Sequence, residues 1–428
     1  MKIVYLAAGA AGQYCGACAR DAELARNLID RGHDVTMLPL YTPLTVDGPD
    51  PSDRRVFYGG ISAFLQQKFS LFRHTPKALD RVLDSRWLLR AVSRLAVDTK
   101  PEDLGAMTVS VLRGRHGRQA KELRELLEFL ERQDRPDVVN LSNSLLSGLV
   151  PAIRERLGCR IVCTVQGEES FIHDLPHPFR DEALDLIRSA AEQVDLFISP
   201  AAGYAAEIGG LLRVPPQRIR VVRPGVDLKT FRPADRARDG QLHVGYLSRI
   251  AESKGTDVLC QAMALVARRC PGAVRLTIAG QLASSDESWW HDVLEDAGLR
   301  PGHDGFEFRG RIGFREKIEL LQSLDLFVRP SRLRERRAIA ALEAMACGAP
   351  LLAPRNGVLT EIVDLTGGGT LVDACEAKPF AEAIIALVDD RQKQRALAAA
   401  AARGVAEHFS SDAMAEATLA AYTEALGG

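Results

Sequence analysis

Short β-branched runs alternate with amphipathic helical segments along most of the chain, and this alternation occurs twice. The first series begins with KIVYLAA and DVTMLPL at residues 2–8 and 34–40, and the second with LHVGYLSR at 242–249. A charged, glycine-containing segment at 234–241, ADRARDGQ, separates them. Alternating strands and helices are typical of parallel α/β sheets. The sequence therefore predicts two doubly wound α/β domains with a cleft between them.

The length of 428 residues is sufficient for two domains with full cores. We expect a first domain over 1–232, with a basic helical insertion near 46–135, and a second domain over 241–405. A final helix over 406–428 is a candidate to pack back on the first domain. In doubly wound sheets ligands bind beyond the carboxyl ends of the strands, so the loops that follow strands are the places to look for a site.

Composition excludes several classes of protein. The 55 basic and 56 acidic residues give a net charge of −1, so we expect no nucleic acid partner. Eight cysteines are sparse and lie mostly in apolar runs, which is typical of reduced thiols in a cytoplasmic protein. No stretch reaches the roughly 18 uncharged apolar residues that a spanning helix needs. We therefore expect a soluble, cytoplasmic protein.

Residues 61–95 are more basic than their surroundings. They hold seven Lys or Arg and two Asp, interleaved with four large aromatic residues: Phe64, Phe69, Phe72 and Trp87. One interpretation is a solvated helical hairpin with an apolar inner face. The other is a basic, aromatic surface that contacts an acidic acceptor or an anionic membrane, placing the protein at the inner face of that membrane. Both interpretations stay open.

Charged residues follow two strands of the second series. Arg249 and Lys254 lie just after LHVGYL, where two cations are well placed to neutralise a diphosphate. Glu335 and Glu343 are eight positions apart, so on one unbroken helix their side chains would diverge by roughly 80°. The spacing therefore predicts that Glu335 lies in a loop and that Glu343 lies in the helix that follows it.

Several of these segments resemble one known family. The stretches 245–266, 324–331 and 335–363 follow in the order and spacing of family 4 glycosyltransferases of the GT-B fold. VVRPGVDLKTFRP at 221–233 and RGHDVTMLPL at 31–40 are similar to two further motifs of that family. The resemblance is strong over about 220–365, weaker over 1–45 and 137–200, and absent over 46–135. It implies an α/β GT-B architecture, with two Rossmann-like doubly wound domains facing across a cleft.

The resemblance also implies an activity: retaining, metal-independent transfer of a sugar from a nucleoside diphosphate sugar to an acceptor hydroxyl. Arg249 and Lys254 would stabilise the departing diphosphate. Glu335 would bind hydroxyls of the donor sugar, and Glu343 would bind the ribose hydroxyls. The resemblance further assigns donor binding to four positions, at the helix start and in the loop after the next strand: Ala338, Ile339, Asn356 and Gly357.

The glycine-rich loop after the first strand would lie near the phosphates and the acceptor, through Gly12 and Gly16. Its spacing is not G-x-G-x-x-G, so the nicotinamide fingerprint is absent. The pair Cys15 and Cys18 is open to three interpretations: two packed thiols, a redox pair or half of a metal site. No second such pair or histidine cluster completes a zinc site.

This chain departs from the family at two places. Arg337 and Ala338 replace the usual Phe-Gly, and with the neighbouring arginines they fit either a solvated loop or a donor that carries a carboxylate. Gln166 stands where many relatives carry a histidine that faces the transferred sugar. Glu168, just after it, is a candidate for positioning the acceptor hydroxyl and equally a helix-capping carboxylate.

The sequence leaves the substrates and one rival class open. The family uses uridine, guanosine and adenosine diphosphate sugars on lipids, glycans and small molecules. Rival enzymes of the same fold are a sugar-nucleotide epimerase and a phosphorylase. A catalytically silent sugar-nucleotide-binding protein is the rival outside enzymes, and the two departures from the family support it.

Overall fold

The computed structural model describes residues 1–9, 16–44, 46, 50–53, 55–58, 101–235 and 240–427. The predictions that fall wholly or partly outside these residues include the role of Gly12, the Cys15–Cys18 pair, the two interpretations of residues 61–95 and the basic helical insertion near 46–135. In the part of the chain that the structure describes, no helix has the length and apolar character needed to cross a membrane.

The first sheet has six strands, all parallel where they pair, in the order β2-β1-β3-β4-β5-β6. The strands are β1 (Lys2–Ala7), β2 (Asp34–Pro39), β3 (Val138–Leu141), β4 (Arg160–Thr164), β5 (Leu196–Ser199) and β6 (Ile219–Val221). The central strands are almost wholly buried, as expected of a parallel sheet with helices on both faces. The strand order reverses between β1 and β3, which places a crevice at their carboxyl ends.

The helices around the first sheet are α1 (Gly16–Asp30), α2 (Pro101–Leu112), α3 (Ala120–Glu131), α4 (Val150–Leu157), α5 (Glu169–Asp174), α6 (Phe179–Ala191) and α7 (Ala202–Leu212). In α3, leucines spaced three or four residues apart make one buried face, which is the pattern of an amphipathic helix on a core. Helices α2 and α3 lie within the region 46–135 for which a helical insertion was predicted.

The second sheet also has six parallel strands, in the order β12-β11-β10-β7-β8-β9. They are β7 (Leu242–Leu247), β8 (Val274–Ala279), β9 (Phe306–Phe308), β10 (Leu326–Val328), β11 (Leu351–Pro354) and β12 (Gly369–Val372). Counted from β7, this order is 3-2-1-4-5-6 read from the β9 edge, the order of Rossmann folds. The reversal lies between β7 and β10.

The helices of the second sheet are α8 (Thr256–Arg269), α9 (Glu287–Ala297), α10 (Phe314–Ser323), α11 (Ile339–Ala346), α12 (Val358–Thr366), α13 (Ala377–Asp389) and α14 (Arg391–His408). A last helix, α15 (Ser411–Leu426), follows them. The buried core includes Trp290 on α9, Phe380 on α13 and Leu259 on α8.

The chain divides into two compact units, Met1–Val222 with Ala415–Gly428 and Arg223–Met414. The domain limits expected from the sequence were 232, 241 and 405. Residues 223–232 belong to the second unit, where Val226 N donates to Phe409 O (2.8 Å) and Ser411 N donates to Val226 O (3.0 Å). From Ala415 onward, α15 belongs to the first unit.

Candidate functional site

Two loops at the carboxyl ends of neighbouring strands form the candidate site of the second unit. β7 and β10 pair side by side, and the chain continues from β7 to one edge of the sheet and from β10 to the other. Such a reversal leaves a crevice in which doubly wound sheets bind ligands. The loop after β7 carries Arg249 and Lys254, and the loop after β10 begins with Arg329 and carries Glu335.

Glu335 accepts hydrogen bonds from two cations through a single carboxylate oxygen. Lys254 Nζ lies 3.0 Å from Oε1, and Arg329 Nη2 and Nε lie 2.6 Å and 3.1 Å from the same oxygen. Only 14%, 11% and 8% of the side chains of Lys254, Glu335 and Arg329 are exposed. These three residues are called the cation cluster below, and they hold two positive charges and one negative charge.

The cluster shifts the ionisation of its members. Burial alone raises the pKa of Glu335, but the charges and hydrogen bonds of Arg329 and Lys254 outweigh it and lower that pKa to about 2. Burial lowers the pKa of Lys254, and the attraction of Glu335 offsets this only in part. Arg249 is exposed, and its charge also lowers the pKa of Lys254. Glu335 therefore carries a negative charge at neutral pH.

The loop after β7 is held by a hydrogen bond from β7 and by a close backbone contact with the loop after β10. Tyr246, fully buried on β7, donates its hydroxyl hydrogen to Arg249 O (3.0 Å). Gly255 has φ +70°, and a Cβ there would lie 1.6 Å from Pro330 O. Because no side chain fits between these two backbones, glycine is required at this contact. Lys254 is thereby placed at a fixed distance from the residues that follow β10.

The loop after β11 holds the backbone of Glu335. Val358 N, the first N–H of α12, donates to Glu335 O (2.9 Å). Gly357 has φ +57°, and a Cβ there would lie 2.4 Å from Glu335 O. The side chain of Asn356 donates to Leu333 O (3.0 Å). Asn356 and Gly357, predicted to line the diphosphate, thus also fix the loop that carries Glu335.

Helix α11 begins at the predicted place but with an unusual residue. Ala338 has φ 51° and ψ 40°, a left-handed conformation that favours glycine, and its carbonyl accepts from Ala341 N (2.9 Å) and Leu342 N (3.2 Å). The helix starts at Ile339. Alanine therefore performs the turn for which the family usually has glycine, at a conformational cost of about 1 kcal/mol.

Glu343 lies in helix α11, as its spacing from Glu335 predicted. It is 6% exposed and accepts a hydrogen bond from Lys317 Nζ at 2.8 Å. Lys317, on α10, is 7% exposed, and its ammonium group lies 5.2 Å from the ring centroid of Phe231. Lys317 therefore places an ammonium group beside the buried carboxyl group of Glu343.

In the first unit, Gln166 belongs to a buried polar cluster beyond the carboxyl ends of β1, β3 and β4. Its amide nitrogen donates to both carboxylate oxygens of Asp21 (3.1 Å each) and to Ser142 O (2.9 Å). Asp21 also accepts from Tyr5 Oη (2.7 Å) and Arg20 Nη1 (3.0 Å). Burial raises the pKa of Asp21, and these donors oppose that rise. These contacts fix the orientation of the Gln166 amide.

Glu168 satisfies backbone donors in two loops. One of its oxygens accepts from Ser144 N (2.8 Å), the first residue of a 3-10 helix at Ser144–Leu149. The other accepts from Gln166 N (2.7 Å). The capping interpretation therefore describes these contacts, although the capped helix is not its own. Gly16, the other predicted residue of this unit, is the first residue of α1.

Two family models match the chain: Glycosyl transferases group 1 over residues 228–404, and Glycosyltransferase Family 4 over residues 98–230. The chain belongs to the group 1 glycosyltransferases of the GT-B fold. A relative from Paenarthrobacter aurescens, named D-inositol 3-phosphate glycosyltransferase, is 31% identical over 58% of this chain and 59% of its own length. The chain spans about half to two thirds of the length of the curated relatives that it matches.

Solved structures agree with this GT-B assignment. Anabaena Alr3699/HepE in complex with UDP matches with a TM-score of 0.69 at 16% identity, over 99% of this chain and 100% of that one. Sucrose-phosphate synthase from Thermosynechococcus elongatus matches with a TM-score of 0.70 at 18% identity, over the full length of both chains. At these identities the similarity concerns the fold, and it confirms the predicted α/β class.

The sequence analysis of this group 1 glycosyltransferase missed Arg329, Lys317 and Asp21. Arg329 was given no role, yet it directly follows a buried strand, and that position was a usable signal. Lys317 lies inside an amphipathic helix, where a lysine normally indicates the solvated face. Among the described residues no group of three or more His, Cys, Asp or Glu could hold a metal ion.

Proposed function

We propose that this group 1 glycosyltransferase moves a sugar from a nucleoside diphosphate sugar to an acceptor hydroxyl, with retention at the anomeric carbon. The observation that carries the proposal is the convergence of Lys254 and Arg329 on Glu335 at the switch point of the second sheet. Its support outside the chain is that HepE, which shares the fold, was crystallised with UDP and with UDP-glucose.

The charges of the site suit a diphosphate. Arg249, Lys254 and Arg329 carry three positive charges, and Glu335 carries one negative charge, which leaves two positive charges. The diphosphate of a sugar nucleotide carries two negative charges, one on each phosphate. Charge-assisted hydrogen bonds from a lysine and an arginine are a strong means of binding phosphate oxygens. In this proposal the cations supply the charge that a divalent metal supplies elsewhere.

The leaving group gains negative charge as its bond to the sugar breaks. Lys254 and Arg249 would stabilise this charge, assisted by the N-terminal end of α11 at Ala338 and Ile339 and by the loop at Asn356 and Gly357. The acceptor hydroxyl then attacks from the face that the diphosphate leaves, and its proton passes to the departing diphosphate. Electrostatic stabilisation and positioning perform the catalysis, so the mechanism requires no protein nucleophile.

The two glutamates would bind the neutral parts of the donor. Glu335 would accept from hydroxyls of the sugar, and Glu343 from the ribose hydroxyls, with Lys317 as a neighbouring hydrogen-bond donor. Gly12 and Gly16 stay assigned to the phosphates of the donor, and Gln166 and Glu168 to the acceptor. Because the relatives are named D-inositol 3-phosphate glycosyltransferases, that compound belongs in the first acceptor panel.

The first test is nucleotide binding by isothermal calorimetry, with UDP, GDP and ADP and their glucose conjugates. Replacing Lys254 with alanine should weaken binding of the preferred nucleoside diphosphate by about 10- to 100-fold, the value of one charge-assisted hydrogen bond. The matched control is Lys378→Ala, at an 80% exposed lysine on α13 that lies near Glu382. It removes the same charge and should leave binding unchanged.

The second test is turnover. Release of the nucleoside diphosphate from the preferred donor should depend on an acceptor from a panel of lipids, glycans and D-inositol 3-phosphate. Binding without release on the whole panel would favour a silent sugar-nucleotide-binding protein. Absence of binding, or equal affinity of wild type and Lys254→Ala, would overturn the proposal.

A further inference from the structure

Arg329 adds a positive charge to this site, but its side chain donates its hydrogen bonds to Glu335. We infer that Arg329 is a positioning residue: it neutralises and orients Glu335, so that Lys254 stays available to a diphosphate and one oxygen of Glu335 stays available to a sugar hydroxyl. The inference rests on the proposed function for the identity of these ligands. The contacts that support it are all between residues of the protein and involve no ligand.

Arg329 is fixed from both neighbouring strands. Its backbone N–H donates to Leu352 O on β11 (2.9 Å), and its Nη1 lies 3.4 Å from Leu247 O at the end of β7. The residue is 7% exposed. A guanidinium held in this way cannot follow a ligand, but it can serve as a rigid support for another side chain.

The contacts of Glu335 are one-sided. Arg329 and Lys254 together direct three nitrogen atoms at Oε1. Within the described ranges of the chain, no residue donates a hydrogen bond to Oε2. A carboxylate oxygen has two lone pairs in the plane, so Oε1 is saturated while Oε2 keeps its full capacity as an acceptor. The carboxylate is thus presented with one oxygen bound and one oxygen open.

Arg329 also determines whether the ammonium group of Lys254 is available to a phosphate. Without Arg329, Lys254 and Glu335 would form a neutral ion pair, and a phosphate would have to compete with the carboxylate for the ammonium group. With Arg329, one cation balances Glu335 and the other remains in excess. Burial strengthens this effect, because buried charges are weakly screened.

The inference predicts a result that a direct phosphate contact does not. Arg329→Met should weaken binding of the nucleoside diphosphate by about tenfold or more. Adding Glu335→Gln to that variant should restore affinity to within about threefold of wild type, because it releases Lys254. In the double variant, as in Arg329→Met, the difference in affinity between the nucleoside diphosphate and its sugar conjugate should be lost. If Arg329 contacts phosphate itself, the double variant should stay well below wild-type affinity, because the lost contact is not replaced.

The matched control lies three positions further along the same loop. Arg332 makes an exposed two-pronged ion pair with Asp257 (2.6 and 2.7 Å). Arg332→Met removes the same charge from the same loop without touching Glu335, and it should leave both affinities unchanged. Arg329→Lys keeps the charge and serves if the methionine variant does not fold. It should bind the nucleoside diphosphate within about threefold of wild type.

An arm without nucleotide separates this inference from the proposed function. In protein labelled with carboxyl-¹³C glutamate, the signal of Glu335 is assigned by its loss in Glu335→Gln. Its titration midpoint should rise by about one pH unit or more in Arg329→Met and should not move in Arg332→Met. An unchanged midpoint overturns the inference alone. A wild type that binds no nucleoside diphosphate overturns the proposed function and, with it, the roles given to Lys254 and to Oε2.

Discussion

Replacing Glu335 with glutamine should destabilise the second unit by about 2 to 3 kcal/mol at pH 7. The pKa of Glu335 is about 2 in the folded protein, against an ordinary value of 4.5. This difference of about 2.5 units is worth at most about 3.5 kcal/mol at roughly 1.4 kcal/mol per unit. Burial of Lys254 offsets part of that gain, which sets the lower figure. Glutamine keeps the shape of the side chain but leaves two buried cations without a counter-charge.

The sign of the pH dependence follows from the lowered pKa. Below pH 4.5 the unfolded chain protonates this carboxyl group while the folded protein does not, so the contribution of Glu335 falls as the pH decreases from about 5 to about 2. Wild type should therefore lose its advantage over Glu335→Gln across this window. Between pH 5 and pH 7 the ionisation of Glu335 should contribute no further change to the difference between the two proteins.

Urea unfolding followed by tryptophan fluorescence measures this difference. Trp290 is 4% exposed in the core of the second unit and should report on that unit. Trp87 lies in the other half of the sequence, so both proteins should carry Trp87→Phe to keep the signal specific. Assignment to one unit matters because two-domain chains rarely unfold in a single step.

Two results would refute the reasoning. Equal urea midpoints at pH 7 would mean that the cation cluster contributes nothing net to stability. A difference that persists unchanged from pH 7 to pH 2 would mean that the loss in the variant arises from packing and not from ionisation.

Two smaller changes test the local geometry. Ala338→Gly should stabilise the second unit by about 0.5 to 1 kcal/mol in urea unfolding, since glycine adopts the left-handed conformation without strain; a loss would contradict the strain at this position. Tyr5→Phe should destabilise the first unit by about 1 to 3 kcal/mol by circular dichroism, because buried Asp21 loses a donor. Tyr422→Phe should change it by less than about 0.5 kcal/mol, as its hydroxyl has no hydrogen-bond partner among the described residues; equal losses would argue against a role for the Tyr5 hydroxyl.

The fold was predictable because its signal is periodic. Ten of the strands coincide with apolar, β-branched runs between helical segments. The strands without such a run are two edge strands, β6 (IRV) and β12 (GTLV). Edge strands are only half-enclosed, so arginine or glycine in them is tolerated and the apolar pattern weakens.

Site residues were predictable only where both the residue type and its position in the sequence indicated ligand binding. Lys254 and Glu335 were both predicted, and the structure brings them within 3.0 Å. Their third partner, Arg329, was hidden by its neighbours, since sequence alone does not tell a buried arginine from the exposed Arg332 three positions away. Which of several like residues points inward depends on the exact end of a strand, and strand ends are the least certain part of a sequence prediction.

The path of the final helix has a consequence for synthesis. Tyr422 on α15 is buried in the first unit, where Glu416 pairs with Arg31 (3.3 Å) and Glu424 with Arg220 (2.7 Å). A ribosome makes the whole of residues 223–414 before it reaches this segment, which takes about 10 to 40 seconds at roughly 5 to 20 residues per second. Until then the face of the first unit that α15 covers is exposed. On the nascent chain this unit is therefore completed after the second unit, although it emerges before it.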